Sequence, residues 1–254
     1  MLIYWSREYE TYIPHYAASP APSITAPTGC NAREYLMSRL RHWAAGLEEN
    51  PKSASKLCCL AKTIFELPDS KCWSVHDKAA ITLILVRASL SNEGPILYWM
   101  FVHVYSQPAL LARLRAEGDA FLNPDKNPLA ADGLPQDMSP ATIHAACPLL
   151  VACCKENQRL TTVGPLVRKV LRDTVIRDDD REFLMKKNSI AVLPTSVLHH
   201  SEDRWGAGAT EFDPDRFLGA RAEALPRNSF FPFGSGRDEC PVRPPLPSHI
   251  NMRR

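Results

Sequence analysis

The sequence predicts a mainly helical fold with a small β region, an α+β arrangement in which helices come first and short strands follow. Three observations carry that expectation. Apolar residues recur at helical spacing over 32–49, where Leu36, Leu40, Trp43 and Leu47 share a face, and again over 76–117 and 140–160. Short β-prone pieces then appear at Val167–Val170, Thr174–Ile176 and Ser189–Leu193. Residues 203–232 show little periodicity and read as a long irregular meander, which ends in a glycine-rich loop carrying Cys240.

The elements follow in order. Residues 14–28 are rich in Pro, Ala, Ser and Thr and are expected to be loop. Asp77 and Lys78 open the longest apolar-periodic stretch, and Gly94-Pro95 inside it predicts a kink, because proline lacks the amide proton a helix interior requires. Pro108 opens a helix through Leu110, Leu111 and Leu114. Residues 123–140 are a Pro/Asp/Asn loop, and one helix is expected from about Pro140 to Leu160.

Bulk properties exclude more than they assign. A chain of 254 residues can bury a sizeable core. Its net charge of +2 provides no basis for nucleic-acid binding. No apolar run approaches the roughly 20 residues that span a bilayer, and Met1 to Trp5 is too short for a signal-peptide core. Membrane contact and compartment stay open. Eight cysteines form no Cys-x-x-Cys pair, which argues against zinc. Seven of them read as buried free thiols.

The eighth, Cys240, closes Phe231-Pro-Phe-Gly-Ser-Gly-Arg-Asp-Glu-Cys240. Glycines there permit positive φ and close approach of backbone to a ligand, so the cysteine can meet a flat cofactor as a thiolate. Upstream, Glu156 and Arg159 lie three apart on one helix face and can pair. Taken alone, that pattern reads as a solvated helical ion pair. Phe212-Asp-Pro-Asp-Arg216-Phe217 supplies a second arginine, whose planar fork can bridge to a carboxylate that already has one partner. Trp205 precedes this turn and is placed to anchor the meander.

In this order and at these separations the set resembles the cytochrome P450 family of haem-thiolate monooxygenases, and many fungal biosynthetic members in particular. Glu156 and Arg159 match the family's Glu-x-x-Arg, and Phe212–Phe217 its Phe-x-Pro-x-Arg-Phe turn. Phe233, Gly234, Gly236 and Cys240 match its cysteine loop. The resemblance implies that Cys240 is the axial iron ligand, that Phe233 and Gly236 lie against haem, and that Glu156, Arg159 and Arg216 form a structural triad. Arg168 matches a basic position that meets a haem propionate; a surface arginine is the other reading. The stretch Ala88–Trp99 looks like the long central helix over the haem. Ser91 and Asn92 stand where most members carry an acid-alcohol pair that relays protons to dioxygen. They look like the subgroup containing steroid 7-hydroxylases and prostacyclin synthase; a polar side chain satisfied within a kinked helix is the alternative. His199 and His200 precede Trp205 where the family often has one histidine, read as structural.

The resemblance covers roughly the second half of the family fold, so residues 1–254 are expected to form one partial domain. The other half normally supplies a membrane anchor, usually to the endoplasmic reticulum, together with most substrate-facing loops. Three departures stand out. Asp238 replaces a basic or polar residue, and its charge opposes a nearby thiolate. Val242 replaces glycine. Pro241, Pro244, Pro245 and Pro247 occupy the place of a helix whose N-terminus favours the thiolate, as a shifted reading frame past Cys240 would. The implied function is oxygen insertion into a small lipophilic substrate, in secondary-metabolite biosynthesis, with electrons from NADPH-cytochrome P450 reductase. The alternatives are an inactive homologue that binds no haem and a reductase-independent peroxide isomerase.

Overall fold

A computed structural model describes residues 4, 6–12, 21–49, 71–123, 125, 128, 135, 137–226, 228–236, 239 and 240. The chain divides into two compact units, Met1–Pro95 and Ile96–Arg254.

The first unit is helical. Pro22–Thr25 makes a single turn, and α1 runs Pro27–Glu49. The loop expected over 14–28 is therefore helical in its described C-terminal part. Each of these segments begins with proline, whose fixed φ and missing N–H suit the first helical position. Helix α2, Val75–Ala88, packs on α1 through Leu36, Met37, Ala79 and Leu83. Ser74 and Asp77 exchange hydrogen bonds at its start: the Ser74 amide donates to Asp77 Oδ2 at 3.0 Å and the Asp77 amide to Ser74 Oγ at 3.2 Å. Lys78 is buried and reaches the Glu48 carboxylate. Ser89–Glu93 then widens into a π-helical turn. Pro95 has no amide to offer the Ser91 carbonyl, so the helix loosens just ahead of it. The irregularity expected at Gly94-Pro95 thus falls one turn earlier, as a π turn.

The second unit holds α3, Gly94–Tyr105 for its part beyond Pro95, and α4, Pro108–Phe121. The single helix expected over 140–160 is two, α5 Pro140–Ala146 and α6 Pro148–Thr161. Pro148 drives Cys147 off helical geometry, to φ −124° and ψ 59°. Helix α6 has no cap of its own. Glu117 of α4 provides one instead, its carboxylate accepting the Leu149 amide at 2.7 Å and the Leu150 amide at 2.9 Å. The negative charge also suits the helix N-terminus. Val104, Leu110, Leu149, Cys153 and Phe212 form the core of this unit.

Four short strands follow. β1, Leu166–Lys169, pairs antiparallel with β4, Ile190–Leu193, in the register Leu166 to Leu193. β2, Thr174–Asp178, and β3, Arg181–Met185, make a hairpin. β3 is not expected from the sequence, because its two charged residues, Arg181 and Glu182, are followed by an unbroken apolar run that shows no alternation. Its turn contains Asp179 at φ 50°, a conformation aspartate tolerates. Short helices α7, Thr195–His199, and α8, Glu202–Trp205, lead into a 3-10 turn at Pro214–Phe217 and α9, Gly219–Glu223. Many large apolar side chains stay exposed, among them Phe101 at 60% and Tyr105 at 62% on α3.

Removing the borrowed cap tests this account. Glu117→Ala should lower stability by about 1 kcal/mol, read as a shifted midpoint in urea denaturation.

Candidate functional site

Helix α6 places Glu156 and Arg159 in the centre of the second unit, both completely buried. Their pairing is bidentate: Arg159 Nε donates to Glu156 Oε2 and Nη2 to Oε1, each at 2.7 Å. Burying such a pair is expensive unless every remaining donor is satisfied. Here all are. Arg159 Nη1 donates to the carbonyls of His199 and, at 2.6 Å, Ala209, while Nη2 also reaches the Glu211 carbonyl at 3.3 Å. The guanidinium thereby uses its full set of N–H groups, and it lies 4.9 Å from the Trp205 ring.

Arg216 joins from the 3-10 turn. Its Nε stands 3.4 Å from Glu156 Oε1, and its Nη1 and Nη2 donate to the carbonyls of Trp205 and Gly208, both at 2.6 Å. Glu156 Oε1 also accepts the Asp213 amide at 3.0 Å. The two arginines together take up five carbonyls between residues 199 and 211, a segment too irregular to pair them in strands. Gly208 is at φ +79°, and a Cβ there would lie 3.2 Å from Glu211 Oε2. Trp205 is buried and donates from Nε1 to the Leu198 carbonyl at 3.0 Å, so it anchors the meander.

The cysteine loop is tied to the same centre. His199 is fully buried, and its Nε2 accepts the Phe231 amide at 3.0 Å. The Gly234 amide donates to the Phe231 carbonyl at 3.2 Å, and the Cys240 amide to the Phe233 carbonyl at 2.9 Å. Gly234 and Gly236 adopt φ of +79° and +77°, which lets the loop turn back on itself. Among the described residues, a Cβ at Gly236 would meet no atom within 4 Å, so that face of the loop is open to them. Phe233 and Cys240 are half-buried. Arg168 projects from β1 to this loop and donates to the Ser235 carbonyl at 2.6 Å.

Glu156, Arg159, Arg216, Arg168, Phe233, Gly236 and Cys240 thus belong to one connected assembly. Ser91 and Asn92 lie in the first unit, in the π turn. Ser91 Oγ donates to the Arg87 carbonyl at 2.7 Å, and Asn92 is exposed. Asp238, Val242 and the prolines after Cys240 lie outside the described residues. Sequence reading missed Asn157, also completely buried, whose Nδ2 donates to the Ile96 carbonyl at 2.8 Å and joins α6 to the start of α3. Its place on the Cys153 face, four residues on, was the available signal. It missed Glu117 as well, because a cap lent by another helix leaves no local pattern.

The donor set discriminates among prosthetic groups. Among the described residues no cluster of three or more His, Cys, Asp or Glu could hold a metal ion. A lone cysteine on a loop with an open face fits a macrocycle that brings its own equatorial ligands, as haem does.

Comparison with known proteins agrees. The family model described as Cytochrome P450 matches residues 33–241, and the chain belongs to that family. A cytochrome P450 monooxygenase of Gibberella zeae is 32% identical over 164 residues, 63% of this chain and 30% of that protein. The cytochrome P450 monooxygenase nodJ of Hypoxylon pulicicidum is 26% identical over 189 residues, 70% of this chain and 35% of that one. The crystal structure of the cytochrome P450 CYP102L1 superposes with a TM-score of 0.69 at 16% identity, covering 93% of this chain and 50% of that structure. The chain therefore spans about a third of the length of the two monooxygenases and half of the CYP102L1 structure. The fold is part of the P450 fold, and haem with an axial thiolate is the cofactor of that family. No helix among the described residues is long and apolar enough to cross a membrane.

Two outcomes are expected. Glu156→Gln leaves the buried Arg159 without its counter-charge and should cost about 3–5 kcal/mol, visible as loss of the cooperative urea transition or a large fall in its midpoint. Burial pushes the His199 imidazole down to about 4 from an ordinary 6.5, with the Arg159 charge contributing. The unfolded chain then binds that proton more tightly than the folded one. Stability should be full above about pH 6.5 and decline on acidification toward pH 4, by about 3 kcal/mol from this residue. The difference in urea midpoint between the unmutated chain and His199→Gln, followed across that range, isolates the contribution.

Proposed function

We propose that this chain is the haem-binding part of a monooxygenase that inserts one oxygen atom into a small lipophilic substrate, in the biosynthesis of a secondary metabolite. The observation that carries the reading is the cysteine loop: its fold is closed by the Cys240 amide and tied through His199 and Arg168 to the rest of the second unit. The match to the family across 33–241 spans both units and supports reading residues 1–254 as one partial domain of that fold. The likeness to fungal monooxygenases supports the biosynthetic assignment.

In this reading Cys240 holds the iron as thiolate, and Phe233 and Gly236 present a face free of polar bulk to the ring. Arg168 offers its guanidinium to a propionate, in exchange for the Ser235 carbonyl. Glu156, Arg159 and Arg216 touch no substrate; they keep the loop and the meander in register. Bound haem supplies dioxygen activation, with the thiolate favouring O–O cleavage. Ser91 and Asn92 are the groups assigned to proton handling, the Ser91 Oγ–H being held on the Arg87 carbonyl until a better acceptor arrives. P450 enzymes generally draw electrons from a redox partner, and NADPH-cytochrome P450 reductase is the partner proposed here.

The test is spectroscopic. The full chain, expressed with haem precursor, reduced and exposed to carbon monoxide, should give the Soret difference band of a haem thiolate. Cys240→Ser should abolish that band. Absence of the band from the unmutated chain overturns the assignment.

A further inference from the structure

His199 occupies a junction that the triad and the cysteine loop share but that neither role explains. Its carbonyl accepts from Arg159 Nη1, and its ring nitrogen Nε2 accepts from the amide of Phe231, the residue that opens the cysteine loop. The ring lies 5.9 Å from Phe230 and 6.5 Å from Trp205, centroid to centroid, within an aromatic group completed by Phe217. An amide can only donate, so Nε2 carries no proton and the imidazole is the neutral Nδ1–H form. Nδ1 itself is buried and has no hydrogen-bond partner among the described residues. The ring thus carries one unsatisfied nitrogen, a cost set against the hydrogen bond its other nitrogen makes.

We infer that His199 is a positioning residue: by accepting the Phe231 amide it hangs the cysteine loop from the buried Glu156–Arg159 pair and so sets where the Cys240 thiol stands. The connection runs from the Glu156 carboxylate to the Arg159 guanidinium, through the backbone of His199 to its ring, and on to Phe231. From Phe231 it continues through the Gly234 amide, and Phe233 receives the amide of Cys240. Arg159 approaches the ring from α6 and His200 adjoins it on its own segment; burial is the main cause that disfavours a second proton on the imidazole, and the Arg159 charge adds to it. The Glu156 carboxylate is engaged by Arg159. The site therefore keeps the acceptor available. The inference rests on reading Cys240 as the haem ligand, but its readout does not need haem.

The experiment uses the full chain without haem. His199→Gln retains an acceptor for the Phe231 amide, and His199→Leu removes it at similar volume. Hydrogen exchange of the Phe231 amide should quicken about tenfold in His199→Leu, as when a hydrogen bond of ordinary strength is lost, and alkylation of Cys240 should quicken with it. His199→Gln should restore both. Cys153, completely buried in the core, serves as the reference thiol and should stay unreactive in both variants. In the unmutated chain, a long-range 15N–1H spectrum should show the imidazole protonated on Nδ1; this holds even if neither variant folds. A proton on Nε2, exchange unchanged in His199→Leu, equal loss in His199→Gln, or parallel exposure of Cys153 would each overturn the inference. Failure to bind haem with the exchange pattern intact would instead overturn the assignment of Cys240 and leave the role of His199 standing.

Discussion

The structure of the second unit depends on one buried ion pair. Glu156 and Arg159 are completely buried, and an uncompensated charge there would cost a large share of a domain's net stability. The consequence is that everything around them must supply hydrogen-bonding partners. The meander does so with its carbonyls, and Arg216 adds a second fork beside the same carboxylate. A segment without strands or long helices can turn His199, Trp205 and Ala209 inward because two guanidiniums take up its carbonyls. The dependence is mutual, since the pair tolerates burial only because the irregular segment turns its carbonyls inward.

That constraint organises the proposed haem site without touching it. Glycines at positive φ leave the cysteine loop with little intrinsic preference for one shape. Its position is inherited. His199 couples it to the ion pair and Arg168 couples it to the β1–β4 sheet. A thiol that must meet a rigid ring at a defined place is better held by connections to a stiff centre than by contacts within a soft loop.

Helix α6 shows how the same economy works at its other end. Pro148 sets the first turn but offers no cap, and Cys147 is in the wrong conformation to provide one. Glu117 supplies it from α4, so the helix that carries the ion pair is aligned by a neighbour at its start and by the meander at its end. Asn157 adds a third tie, to the Ile96 carbonyl. Glu117 and Ile96 are both far from Glu156 in sequence, so these ties act on the site from a distance.

The sequence by itself determined the fold class, the family and the residues around which the site is built. Helical periodicity over 32–49 and 76–117 is a local property, and so is the order of Glu156, Arg159, Phe212–Phe217 and Cys240 along the chain. Prolines were legible as punctuation, although Pro148 splits a helix that periodicity alone would run unbroken, and Pro95 appears as a π turn ahead of itself. What only the tertiary structure decided was partnership. Glu156 and Arg159 look like a solvated surface pair until they are seen fully buried, and a pattern three residues long carries no information about what lies above it. His199 became a link to the loop only when Phe231, 32 residues away, was brought onto its ring. Glu117 carries no motif at all, and Asn157 shows only its place on the Cys153 face, because a hydrogen bond between distant elements is specified by where the backbone goes and not by the residues beside it.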